Sequence, residues 1–158
     1  MNQKGGLSRM TTTKKLFGKI LVVDDEIELK NALVEVLLNQ SYDARGYLNA
    51  YEALEALRRE DFDLLITDLM MPEMDGIALI KAALEIDPHL VPILMTGSGS
   101  NDTADAAKKV GAFDYVLKPF RLKTLMPLLK RAMNTRLSEG RRSEEPVTAE
   151  IQAGSLRF

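Results

Sequence analysis

Short apolar runs alternate along the chain with longer stretches in which apolar residues recur every three or four positions. The most sharply bounded run is Leu64-Leu65-Ile66, closed by Thr67 and Asp68. So short a run, ending in polar residues, suits a buried strand over Phe62–Thr67 better than a helix. Met71–Gly76 follows with a Pro and a Gly and reads as a loop turning into a helix. Lys19–Val23 (KILVV) is a second strand, ending in Asp24-Asp25-Glu26. Tyr42–Tyr47 is a weaker strand near an edge, and Val91–Thr96 (VPILMT) and Phe113–Leu117 (FDYVL) complete five.

The longer stretches read as helices. Leu29, Leu33, Val36, Leu37 and Gln40 place one over 26–40, with Lys30, Asn31 and Glu35 on the opposite face. Leu54 and Leu57 place another over 51–60, and Ile77, Leu79, Ile80, Ala83 and Leu84 a third over 76–86, stopping before Pro88. Asn101 or Asp102 can cap a fourth, which runs to about Val110 and ends at Gly111. Leu122, Leu125, Leu129, Ala132 and Met133 mark a fifth to about Leu137, with a local bend predicted at Pro127. Buried strands alternating with helical connectors predict a doubly wound α/β fold, a parallel sheet covered on both faces. Residues 1–17, polar and containing Gly5, Gly6 and three consecutive threonines, read as a disordered leader. The domain then spans 18–137, and 138–158, with no sustained period, is a linker or tail.

Composition narrows the chemistry. A chain of 158 residues, 46% apolar, favours one domain with room for a core. The net charge of −2 offers no electrostatic case for binding nucleic acid. The absence of cysteine excludes disulfides and thiolate metal sites and fits a cytoplasmic location, and a single histidine excludes a multi-histidine metal site. There is no apolar run near the roughly 18 residues of a membrane span, and no apolar core follows Lys4 and Arg9 to make a secretory signal.

Four strands end in reactive groups: Asp24 and Asp25, Asp68, Thr96, and Lys118. In a parallel sheet these ends share one edge, where open α/β sheets bind their ligands. Taken singly, Asp24 and Asp25 could serve a helix N-terminus, Asp68 and Thr96 could cap turns, and Lys118 could be a solvated surface residue. Together they gather three carboxylates that would repel one another without a cation. An oxygen-only set calls for a hard ion, most simply Mg²⁺. An ammonium and a hydroxyl suit phosphate oxygens, and a carboxylate can itself be the nucleophile in phosphoryl transfer. His89, in a turn away from this edge, reads as a surface residue, and Met70, Met71 and Met74 as loop packing.

The motifs ILVVDDE at 20–26, LLITDLMMPEMDG at 64–76, ILMTG at 93–97 and YVLKPF at 115–120 resemble those of the receiver (response regulator) domain of bacterial two-component signalling. The resemblance covers about Gly18 to Leu137. It implies a (βα)5 flavodoxin-like fold with strand order 2-1-3-4-5. Asp68 resembles the phosphoacceptor, Asp25 the direct Mg²⁺ ligand, and Asp24 the acid that holds the ion largely through water. The backbone carbonyl of Met70 completes the protein's share of the coordination. Lys118 is implied to pair with Asp68 and then with the phosphoryl group, Thr96 to bond a phosphoryl oxygen, and Tyr115 to be the aromatic switch. A cis Lys118-Pro119 peptide is implied too. The implied partner is a histidine kinase or phosphotransfer protein, and the implied output is a switched surface of the fourth helix, fifth strand and fifth helix. Members of the family often dimerise through that surface. Such a domain catalyses its own phosphorylation and dephosphorylation without being a turnover enzyme.

Two other readings compete. The chain could be the receiver module of a longer protein, a hybrid histidine kinase or another multidomain output protein. It could instead be a small-molecule aspartyl-phosphate phosphatase. That class needs a second Asp two residues after the nucleophile, where this chain has Met70.

Overall fold

The computed structural model describes residues 16–138. The expectations for the tail from residue 139 onward, and for the leader up to residue 15, fall outside it. Phe17 belongs to the described body: its N–H donates to the Ser41 carbonyl at 2.8 Å, and its ring meets Tyr42 edge-on at 5.8 Å.

The elements alternate as the apolar pattern requires. They are β1 (Lys19–Val23), α1 (Ile27–Asn39), β2 (Asp43–Tyr47), α2 (Ala50–Arg59) and β3 (Leu64–Asp68), then α3 (Gly76–Ile86), β4 (Val91–Thr96), α4 (Asn101–Val110) and β5 (Asp114–Leu117). A final helix, α5, is described over 122–138 and continues across Pro127. The five strands are parallel and ordered β2-β1-β3-β4-β5. The Lys118-Pro119 peptide is cis.

Strand side chains alternate between two cores. Ile20, Val22, Leu64, Ile66 and Ile93 pack with Leu33 and Leu37 of α1 and with Leu125, Leu129 and Met133 of α5. Leu21, Val23, Leu65 and Leu94 pack with Leu54 and Leu57 of α2, Leu79 and Ile80 of α3 and Ala107 of α4. β3 and β4 are buried along their whole length, which is why their sequences read as continuous apolar runs rather than alternating ones. Each fully buried Leu or Ile contributes about 1.5–3 kcal/mol.

Two expectations are corrected. The cap of α4 is Ser100, not Asn101 or Asp102: its hydroxyl accepts from the Thr103 N–H at 3.2 Å, and its extended backbone (φ −76°, ψ 153°) is that of a residue just outside a helix. Leu29 is 44% exposed, because α1 turns Leu33 and Leu37 to the sheet. The remaining caps follow the same chemistry, with Asn49 accepting from the Glu52 N–H and Asp75 from the Ala78 N–H.

Gly76, the first residue of α3, lies against the end of β3. A Cβ there would collide with the Asp68 carbonyl oxygen and come within 2.9 Å of Leu94 Cδ1. Neither can move without disturbing the sheet. Gly76→Ala is expected to destabilise the fold by about 2–3 kcal/mol, measurable as a lower urea midpoint at unchanged m-value.

Candidate active site

The register of the sheet sets the site. Val23 pairs with Thr67, Asp68 with Met95, and Thr96 with Leu117, so Asp24, Asp68, Thr96 and Lys118 leave their strands at one level. Backbone bonds hold the loops beyond: Asp24 N–H to Tyr47 O at 3.2 Å, Leu69 N–H to Met95 O at 2.9 Å, and Lys118 N–H to Thr96 O at 2.8 Å.

Asp24, Asp25 and Asp68 each place a carboxylate oxygen within 4.8 Å of the others. Asp24 and Asp68 are buried and Asp25 is exposed, so the cluster opens to solvent on the Asp25 side. The Lys118 ammonium lies between strands, 3.1 Å from Asp24 Oδ2 and 3.2 Å from Asp68 Oδ1. Asp24 Oδ1 accepts the Glu26 N–H at 2.9 Å, which turns the chain into α1. Asp68 Oδ1 also accepts the Leu69 N–H at 3.0 Å. Both of these Asp68 contacts fall on Oδ1.

Burial raises the Asp68 carboxyl above its ordinary value, and the neighbouring Asp24 charge adds to this; Lys118 and the Leu69 N–H oppose it. Burial alone would lower the Lys118 ammonium, but the Asp24 hydrogen bond and charge, with Asp68 behind them, outweigh it and raise the group. Three carboxylates thus face one ammonium, and the two charges left over match a divalent cation. The donors are all oxygen, as a hard cation requires.

Among the sequence-predicted residues, Asp24, Asp25, Asp68 and Lys118 are brought together. Thr96 reaches the same edge, but its buried hydroxyl is engaged by its own loop, donating to Ser98 O at 3.0 Å and accepting from Ser98 N–H at 3.1 Å. Tyr115 is half-buried and packs on the α2–α4 side of the sheet. The Met70 side chain is exposed. A Cβ on Gly97 would meet nothing within 4 Å, so the approach over that loop is open. His89 is exposed, and its N–H donates to Asp87.

Sequence reasoning missed two contributors. Glu26 brings Oε1 to 3.8 Å from the Lys118 ammonium; its signal was the third acid of the DDE run. Beside the acids, between α1 and α5, lies a groove of about 510 Å³ lined by Leu29, Leu33, Val36, Leu122 and Leu125, with Asp24, Glu26 and Lys118 at its rim. Leu29 and Leu122, in the apolar pattern of their helices yet exposed, line it from either side.

Comparison with known proteins gives a consistent result. The family model of the response regulator receiver domain matches residues 20–130. The chain is 40% identical over 128 residues to the transcriptional regulatory protein ZraR of Klebsiella oxytoca, covering 80% of this chain and 29% of that protein. It superposes on the chemotaxis protein CheY4 of Vibrio cholerae with a TM-score of 0.70 and 29% identity, over 72% of this chain and 97% of that one. The beryllofluoride-activated NtrC4 receiver domain dimer matches with a TM-score of 0.71 and 32% identity, over 75% of this chain and 98% of that one. The chain spans less than a third of the length of the curated relatives it matches.

The raised Asp68 carboxyl carries a stability consequence. As pH rises through its ordinary value of 3.8 and on through the raised folded value, the folded state must hold a buried charge that the unfolded chain holds in water. That cost is absent below the ordinary value and grows as pH rises through the folded one. In metal-free buffer at pH 7, Asp68→Asn is expected to raise Tm by about 2–5 °C. The difference should shrink towards zero below pH 4 in a thermal melt series.

Proposed function

Because the chain belongs to the response regulator receiver family, we propose that it is a phospho-accepting switch of a two-component phosphorelay, with Asp68 as the acceptor. The observation that carries this reading is the Lys118 ammonium shared between Asp24 and Asp68 inside the three-carboxylate cluster. The phosphodonor is a histidine kinase or phosphotransfer protein. An apolar groove beside the acids supports a protein donor, since a helix can lie there without burying a charge.

Asp68 Oδ2, the oxygen left free by Lys118 and the Leu69 N–H, attacks the phosphorus of a phosphohistidine. The P–N bond breaks and its electron pair returns to the imidazole nitrogen. Asp25 would hold Mg²⁺ directly, with Asp68 and the Met70 carbonyl, and Asp24 largely through water. When bound, the ion supplies positive charge to the phosphoryl oxygens. Lys118 already touches Asp68 and needs only a small rotation to pair with the transferred group. Thr96 must first give up the bond it donates to Ser98 O. Its move to a phosphoryl oxygen therefore pulls on the 97–100 loop that leads into α4, and the space vacated admits the Tyr115 ring. The output is a changed surface on α4, β5 and α5. The NtrC4 receiver dimer supports self-association as one readout.

The small share of its relatives that the chain covers favours one elaboration. As a module of a longer protein it would serve a transcriptional regulator rather than a hybrid kinase, as the ZraR match suggests. The phosphatase reading is disfavoured by Met70 at the position of the second acid. Among the described residues no helix is long and apolar enough to cross a membrane.

Incubation with acetyl phosphate and Mg²⁺, followed by intact-mass spectrometry, tests the reading. One phosphoryl adduct is expected on the wild type, and none on Asp68→Asn or when Mg²⁺ is removed by chelation. Lys118→Met should form the adduct about 100-fold more slowly. A folded wild type that takes no adduct from acetyl phosphate or from any phosphohistidine donor would overturn it. In a separate melt, Mg²⁺ should raise the Tm of the wild type and lose most of that effect on Asp25→Asn.

A further inference from the structure

Arg136 lies in the last described turn of α5, at the pole of the sheet opposite Asp68, with 15% of its side chain exposed. Its guanidinium is divided between carboxylates from two different connections. Nε is 3.3 Å from Asp63 Oδ1, and Nη2 is 3.2 Å from Asp87 Oδ2. Asp63 immediately precedes β3, and its other oxygen accepts the Lys19 N–H of β1 at 2.9 Å. Its backbone continues the tie, with N–H to Lys19 O and with the carbonyl accepting from Val91 N–H of β4. Asp87 is the C-terminal cap of α3 and also accepts the His89 N–H. One planar fork thus joins the end of α5 to the starts of β1, β3 and β4 and to the end of α3. A lysine, carrying a single point charge, could not span both acids in this way.

β3 therefore has an acid at each end, Asp63 and Asp68, and each is met by a cation from the same C-terminal unit. Lys118 precedes α5 and Arg136 closes it, and the helix between them runs about 21 Å from residue 122 to Arg136 at ~1.5 Å per residue. The two contacts are unlike. Lys118 is a flexible ammonium beside the group whose charge changes on phosphorylation. Arg136 is a stiff fork on two acids whose charges do not change.

We infer that Arg136 is the pivot of the switch. It fixes the last turn of α5 to the base of the sheet, so that motion begun at the Lys118 end rocks the helix about a held point instead of displacing it whole. Arg136 is a positioning residue, and this role rests on the receiver reading above.

Hydrogen exchange read by mass spectrometry on the full chain, with and without Mg²⁺ and beryllofluoride, tests the inference. In the wild type, beryllofluoride should change exchange over 118–124 and leave 134–138 protected. In Arg136→Gln, protection of 134–138 should fall about tenfold without beryllofluoride. With it, the change should spread from 118–124 into 134–138. Arg136→Lys should keep part of the protection, and Asp87→Asn, which removes only the α3 half, should weaken it less. A merely structural ion pair would lower protection in the variants without altering how far the beryllofluoride response spreads, and that result overturns the pivot. Unchanged protection of 134–138 in both Arg136→Gln and Asp87→Asn overturns the clamp itself. If beryllofluoride changes nothing in the wild type, the receiver reading fails and the pivot with it, while lost protection in the variants would still show the clamp as a structural tie.

Discussion

An ammonium held between the ends of two neighbouring strands is the constraint from which the site follows. Lys118 reaches Asp24 and Asp68 across the C-terminal edge of the sheet with 19% of its side chain exposed. Two carboxylates this buried would be costly without it, since a charge removed from water needs a partner and hydrogen bonds to offset its lost hydration. The compensation is partial. Asp25 adds a third carboxylate, the Asp68 carboxyl remains above its ordinary value, and the cluster keeps a negative excess. An edge with such an excess suits a hard cation.

The fold serves this edge through its two central strands. β3 and β4 are covered on both faces by aliphatic side chains, so Asp68 and Thr96 project from a base with little freedom. Gly76 brings α3 against the Asp68 carbonyl, and the Gly76 N–H donates to Leu69 O at 2.8 Å. The Gly-Ser stretch after Thr96, residues 97–100, is exposed. There the Thr96 hydroxyl is tied to Ser98 rather than to the acids, and α4, beginning at the Ser100 cap, buries only Ala107 among its residues. A helix held by so little apolar area is one that a small change at the site can shift.

Much of this was legible in the order of residues. Five apolar runs separated by helical periods define a parallel α/β sheet, and in such a sheet the residue after each run must lie on one edge. Asp24, Asp68, Thr96 and Lys118 could therefore be assigned to one site before any distance was known. Their chemistry, acids with a cation and a hydroxyl, pointed to a hard metal and a phosphate. The α4 cap was misplaced by one or two residues because Ser100, Asn101 and Asp102 are all good caps, and only the backbone turn selects among them. Leu29 shares the apolar period of Leu33 and Leu37 yet is exposed, because periodicity gives a face of a helix without saying which residue of that face reaches the sheet.

The sequence by itself determined which groups stand at the edge, because strand period and strand end are local properties of the chain. Only the tertiary structure decided which groups touch. Lys118 meets Asp24 across 94 residues, and Arg136 meets Asp63 across 73 and Asp87 across 49. No local pattern encodes such pairings. They arise when the packed cores fix the spacing between elements to within a hydrogen bond, and that spacing depends on every buried side chain at once.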